Sequence, residues 1–196
     1  MSEEENSGRN NSISVAASTD FENDDAALEA LVELKEVEFG TVFEERDTTI
    51  GSEDEEGISI QFENTDWNNY LRIYTTGGGH VHMVLNLDER WIEEAHDILS
   101  TVSDEIGTVE LQDVNATMYL ELAFESLRLP FEEDSDFSIT GIRITEPDAN
   151  YIIQDVAEGT FVNRNRRLED ENELEKVDRV GEADIEAIEQ YIERFE

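Results

Sequence analysis

The chain has 196 residues, of which 51 are acidic, 13 are Lys or Arg and none is Cys. The lack of Cys excludes disulfide scaffolds, Cys-ligated zinc and a catalytic cysteine, and the formal net charge of −38 argues against direct binding to nucleic-acid phosphates. Hydrophobic residues make up 38% of the chain, which is enough for the core of one folded domain.

The first third of the chain combines a polar start with one helix. Residues 1–20 are rich in Ser and Asn, and we expect them to form a disordered, acidic leader. Apolar residues at helical spacing predict a helix from about Asp24 to Glu36. Residues 37–50 predict a strand pair, or one bent strand, around Gly40.

The clearest pattern is a β-hairpin in the middle of the chain. Alternating apolar residues at 71–75 and 81–87 flank Gly77-Gly78-Gly79, which is typical of two strands joined by a tight turn. Asp88 is predicted to cap the helix that follows, and this helix ends at about Ile106 because its apolar residues keep helical spacing to that point.

The remaining patterns complete a mixed fold. Residues 147–162 fit either a short helix or a hairpin, and an amphipathic helix is predicted from about Glu182 to Arg194. The sequence therefore predicts an α+β fold, with an antiparallel sheet and helices on one face. Further strands are predicted at 58–62, 109–111, 118–124 and 137–145. The predicted organisation is a leader at 1–20, an α+β domain at 21–162, a charged linker at 163–180 and a C-terminal helix at 181–196.

The acidic residues are spread through the whole chain, and only two of the 13 cations are Lys. This composition resembles that of proteins from salt-in halophiles, whose cytoplasm holds molar potassium chloride. The repulsion between the many surface carboxylates of such a protein is weak in its cytoplasm, because molar salt shortens the screening length to about 3 Å. The alternative is a functional role for the acid, as in a DNA mimic that occupies a nucleic-acid-binding protein.

The N-terminus has no basic or apolar segment typical of a secretory signal, and no stretch approaches 18 apolar residues. We therefore expect a cytoplasmic protein that does not enter a membrane.

Arg164, Arg166 and Arg167 form the strongest candidate site, because cations are scarce elsewhere. Arg can hold phosphate or carboxylate with two parallel hydrogen bonds, so the cluster is a candidate for binding an anion or a partner protein. The alternative is that these cations neutralise the acidic residues at 169–171.

His80 and His82 form a second candidate, since residues two apart on a strand share one face. With a third ligand they could bind a transition metal, whereas His96 and Glu93 on the next helix are expected on the opposite side. Exposure of both His on a solvated strand is the simpler interpretation.

Two further patterns are weaker. Residues 52–63 approach a calcium-binding loop, but Ser52 stands where Asp is expected and neither flank is helical. The three glycines precede a strand and have no Lys nearby, so a hairpin turn explains them better than a phosphate loop.

The leading functional hypothesis is a small cytoplasmic binding or regulatory protein without catalysis or cofactor, whose partner is another protein. The final helix and the Arg cluster are the expected contact region, and the alternative for this helix is that it packs on the core. The alternatives are a metal-assisted enzyme that uses His80 and His82, and an acidic decoy for a DNA-binding protein.

Overall fold

The computed structural model describes residues 11–40, 42–43, 59–64, 69–88, 90–120, 141–145, 149–156, 159–168 and 177–193. These residues form one antiparallel sheet of eight strands and three α-helices, so the predicted α+β class is confirmed. The strands are β1 (Ser12–Asp20), β2 (Ser59–Glu63), β3 (Tyr70–Gly77), β4 (His80–Asp88), β5 (Glu110–Leu120), β6 (Gly141–Thr145), β7 (Asn150–Val156) and β8 (Gly159–Arg167). The helices are α1 (Asp24–Leu34), α2 (Ala95–Ile106) and α3 (Glu182–Glu193).

The strands lie in the order β2-β3-β4-β1-β5-β8-β7-β6. Each neighbouring pair is antiparallel, and the register between Val15, Leu85 and Val114 places these three buried residues side by side on one face. The same face continues through Ala116 to Val162. A single apolar face therefore runs across the sheet.

All three helices cover this apolar face. The buried residues of α1 and α2, such as Leu31 and Leu99, belong to one core cluster with β1 to β4 and the first part of β5. Ile188 of α3 belongs to a second cluster with Tyr151 and Ile153 of β7. The prediction of helices on one face of the sheet is thus confirmed.

The largest correction concerns β1. Ser12–Asp20 was predicted to belong to a disordered leader, but it lies between β4 and β5 in the middle of the sheet. Ile13, Val15 and Ala17 alternate with small residues, Ser or Ala, and are buried, and both edges of the strand are paired. The alternation is easily missed in the sequence, because Ala and Ser differ little in hydrophobicity. Residues 1–10 lie outside the described residues.

The predicted linker at 163–180 is also wrong at its start. Residues 163–167 belong to β8, which pairs with β5 and β7, so the ambiguous segment before it contributes a hairpin rather than a helix. The alternation of apolar and polar residues that marks a strand is not visible in the sequence of β8, because Arg164 occupies a buried position where an apolar residue is usual. The predicted final helix is confirmed as α3.

Smaller differences lie around the first two helices. Residues 37–40 and 42–43 are not in a strand, although Phe39 and Phe43 are buried in the core. Asp88 ends β4 instead of capping a helix, and a short 3₁₀ turn at Ile92–Glu94 precedes α2. The predicted segments at 44–58, 121–124 and 137–140 lie outside the described residues.

Candidate functional site

Charge is divided between the two layers of the fold. The sequences of α1, α2 and α3 contain no Lys or Arg, whereas each has acidic residues in its first turn. Most of these acidic residues are exposed. The three helices, which we call the helical layer, therefore carry formal charge of one sign only, although the exposed cations Lys35 and Arg179 flank α1 and α3.

The opposite side of the sheet is different, and we call it the polar face. It consists of the strand residues that alternate with the buried ones. Apart from Asp88, which is buried and paired with Arg90, its described acidic residues are Asp20, Glu63, Glu110 and Asp113, and its basic residues are Arg72, Arg143 and Arg167. The charges nearly cancel on this face, in a chain with a net charge of −38.

A continuous line of polar residues crosses the polar face. The strand registers align one residue from each of the eight strands, and most of the line is half-buried between neighbouring side chains. We call this line the polar row, and it contains no cation and a single acid, at its end. From β2 to β6 it consists of Glu63, Tyr70, Asn86, Ser14, Asn115, Asn165, Asn150 and Thr145.

Hydrogen bonds between neighbouring strands hold the amides of the polar face in place. Asn163 Nδ2 donates to Asn115 Oδ1 at 2.6 Å and to Thr117 Oγ1 at 3.1 Å. Gln112 Nε2 donates to Ser18 Oγ at 2.8 Å. Fixed amide groups of this kind can donate to and accept from a bound partner without net charge.

An aromatic group lies toward the β3 side of the polar face. The rings of Tyr74 and His82 are stacked with centroids 5.6 Å apart, and the Arg72 guanidinium carbon lies 5.3 Å from the Tyr74 ring centroid. Such stacked rings provide large contact area with few rotatable bonds.

The structure places both predicted strand histidines on the polar face. His80 Nδ1 lies 2.5 Å from Asp20 Oδ1, while His82 stacks on Tyr74. His96 lies on the other side of the sheet, as predicted, with Nε2 2.9 Å from the Val177 carbonyl oxygen. Within the described ranges, no group of three or more His, Cys, Asp or Glu residues is arranged to hold a metal ion.

The structure keeps Arg164 and Arg166 of the predicted cluster on the apolar side of the sheet, near Asp178, and places Arg167 on the opposite face. Arg164 is 1% exposed and points into the apolar side of the sheet, where its Nη1 donates to Asp184 Oδ2 at 2.7 Å. Its Nη2 donates to both the carboxylate and the carbonyl oxygen of Asp178, at 2.6 and 2.7 Å. Arg164 is therefore occupied by internal partners, whereas Arg167 is exposed on the polar face.

Tyr151 completes this buried network, which we call the Arg164 clamp (Tyr151, Arg164, Asp178 and Asp184). The Tyr151 hydroxyl donates to Asp184 Oδ1 at 3.0 Å, and the Gly181 backbone N–H donates to Asp184 Oδ2 at 2.9 Å. Burial, together with the negative charge of Asp184 and the hydrogen bond to it, raises the pKa of Tyr151 to about 12. The clamp fixes the start of α3 to β7 and β8, which is a structural role.

Arg166 lies at the margin of the clamp. Its Nη1 is 3.4 Å from Asp178 Oδ1, and its side chain is 29% exposed. It therefore adds little to the buried network.

A second buried polar group was not predicted from the sequence. Asn69 Nδ2 donates to Asp88 Oδ2 at 2.9 Å, and Arg90 Nη2 donates to the same oxygen at 2.7 Å. Burial raises the pKa of the Asp88 carboxyl, but the hydrogen bonds from Arg90 and Asn69 outweigh burial, so its pKa is lowered. No spacing in the sequence indicates the pairing, because Asn69 and Asp88 meet only when β3 and β4 are aligned.

The two weaker sequence patterns have different outcomes. The glycines between β3 and β4 all have positive φ and form the predicted turn. Of the calcium-like loop, residues 52–58 lie outside the described residues, and Ser59–Glu63 form β2.

No protein-family model matches this chain, and no curated protein matches its sequence. Among the described residues, no helix combines the length and the apolar character needed to cross a membrane.

Proposed function

We propose that this chain is a cytoplasmic, non-catalytic binding protein that contacts another protein through its polar face. The observation that carries this proposal is the near-balance of charge on that face, against a uniformly acidic helical layer. A surface that served only as an acidic coat would have no reason to replace carboxylates by a line of Asn, Ser and Tyr.

The chemistry of the polar face suits an environment of molar salt. Hydrogen bonds and ring stacking keep most of their strength when salt screens the charges, whereas ion pairs between two proteins weaken strongly. A neutral face is therefore the part of an acidic protein that can hold a partner at high ionic strength. This replaces the Arg cluster as the proposed contact region, because Arg164 is occupied inside the fold.

A photo-cross-linking side chain at Ser14 tests the proposal, because Ser14 lies in the polar row on a central strand. The matched control carries the same group at Ala187, which is exposed on α3. In a cell extract at molar potassium chloride, we expect the probe at Ser14 to join the chain to another polypeptide and the control to give no such product. Products of equal yield at both positions, or at Ala187 alone, would contradict the proposal.

We propose separately that the acidic composition of the chain is an adaptation to a salt-in cytoplasm. Thermal melting followed by circular dichroism from about 0.1 to 3 M potassium chloride tests it, because screening is nearly complete at the upper end. We expect the melting temperature to rise steeply with salt. A cooperative fold at 0.1 M that does not change with salt would overturn this assignment.

One observation favours a second candidate, the acidic decoy. The absence of Lys and Arg from α1, α2 and α3 gives the helical layer the unbroken negative charge that a DNA mimic requires. The decoy function predicts competition with duplex DNA for a basic partner at moderate salt. It also predicts that acidic-to-amide changes on the helices abolish this competition, whereas changes on the polar face leave it intact.

A further inference from the structure

We infer that the protein partner of the polar face is a second copy of the same chain, so that two polar faces meet in a symmetric dimer. This inference rests on the proposed function and names the partner of the same surface.

Charge restricts which surfaces of two identical copies can meet. Each copy carries a net charge of −38, so a contact between two helical layers would bring together helices that contain acidic residues and no Lys or Arg. Like charges placed opposite each other at an interface cost several kcal/mol. Apart from the ion pair of buried Asp88 with Arg90, the polar face has four acidic and three basic described residues, so it is the face on which two copies repel least.

The polar row is also chemically complementary to itself. In a two-fold symmetric interface each surface patch faces the same patch of the other copy. A carboxylate cannot pair with another carboxylate, because both only accept hydrogen bonds, but an Asn side chain both donates and accepts. Asn115 and Asn165 lie on β5 and β8, in the interior of the sheet, where a symmetric contact would bury them.

The size of the polar face matches the requirement of a stable dimer. Eight strands at a spacing of about 4.8 Å span about 34 Å, and a strand of about seven residues is about 23 Å long. The face therefore offers roughly 800 Å² to a partner, which equals the area that each side of a standard protein interface buries.

The test is the molecular mass in solution, measured by light scattering after size-exclusion chromatography at molar potassium chloride. We expect twice the chain mass of 22.4 kDa for the unmodified protein over about 1 to 100 µM. The double variant Asn115→Asp, Asn150→Asp, whose positions lie two strands apart in the polar row, should dissociate at least about tenfold more readily, because the contact would bury carboxylates that can only accept hydrogen bonds. It should still fold, since Asp at 115 can accept the hydrogen bond from Asn163.

The control is Gln190→Glu, which makes the same amide-to-carboxylate change at an exposed position on α3. This variant should remain a dimer. A monomer at every concentration of the unmodified protein would overturn the inference, and so would equal dissociation of the double variant and the control.

The two proposals can fail separately. If the unmodified chain is a monomer while the probe at Ser14 still cross-links a different polypeptide, the dimer is wrong and the binding face stands. If the chain is a monomer and the probe joins no other polypeptide, both are wrong.

Discussion

Arg164 Nη1 lies 2.7 Å from Asp184 Oδ2, and this ion pair joins strand β8 to helix α3 with both side chains almost fully buried. The pair explains how a segment with little apolar character is held on the sheet. It also explains why an Arg occupies a core-facing strand position in a chain with few cations.

Replacing Arg164 by Met should lower the free energy of unfolding by about 3–5 kcal/mol, because the buried carboxylate of Asp184 then loses its partner. Urea denaturation at molar potassium chloride measures this change. Arg179→Met is the control, and since Arg179 is exposed and lies outside the polar face its effect should stay within about 0.5 kcal/mol. Similar losses in the two variants would contradict a stabilising role of the clamp.

Tyr151 predicts a loss of stability at alkaline pH. Its pKa is about 12 in the folded chain against a usual value of 10.0, so the unfolded chain releases the proton first as the pH rises. The stabilisation is therefore fully present below pH 10 and is lost progressively toward pH 12. Denaturation at a series of pH values should show this decline, and it should be weaker in Tyr151→Phe. An identical decline in that variant would assign it to other groups.

The turn between β3 and β4 requires a residue without a Cβ atom at position 79. The φ of Gly79 is +81°, and a Cβ atom there would lie 2.3 Å from the Phe21 carbonyl oxygen. Its backbone N–H also donates to Asp24 Oδ1 at 2.7 Å, which ties the turn to α1. Gly79→Ala should therefore destabilise the protein by more than the roughly 1–3 kcal/mol expected from backbone strain alone.

Gly77→Ala is the control for this prediction, because Gly77 also has a positive φ, of +90°, but has no atom near the added Cβ. Its cost should be limited to backbone strain, as measured by thermal melting of both variants. Equal melting temperatures of the two variants would show that the close contact between a Cβ atom at position 79 and the Phe21 carbonyl oxygen does not affect stability.

We expect a Lys substitution near the end of an acidic helix to stabilise the protein more than one near the start of the same helix. Glu33 lies in the last turn of α1, where the helix dipole disfavours a carboxylate, while Asp25 lies in the first turn, where the dipole favours one. Glu33→Lys should therefore be more stable than Asp25→Lys by about 1 kcal/mol at low salt, although both variants reduce the net charge equally. The difference should shrink at molar salt, and its absence at low salt would contradict the prediction.

Local patterns in the sequence predicted the parts of the fold that depend on local periodicity. The β3–β4 hairpin and the apolar stripes of α1, α2 and α3 follow from spacings of two and about 3.6 residues, which determine the side that each element buries. The α+β class and the placement of helices on one face follow from the same patterns. The position of His80 and His82 on one side of β4, opposite Val81 and Met83, was predicted for the same reason.

Other features depended on which segments meet in space. Strand β1 was missed because Ile13, Val15 and Ala17 are its few apolar residues, and they are buried only because β4 and β5 pair with the strand on either side. The polar row is invisible in the sequence because each residue comes from a different strand, and only the registers align them.

Composition alone therefore determined that the chain is highly acidic and lacks cysteine chemistry, and periodicity determined its fold class. The tertiary structure alone decided where the charge is balanced and which arginine is available to a partner. Arg164 meets Asp184, 20 residues later, only because β8 and α3 pack together. The physical reason is that an ion pair or a neutral face is a relation between side chains distant in sequence, whereas helix and strand patterns are relations between near neighbours.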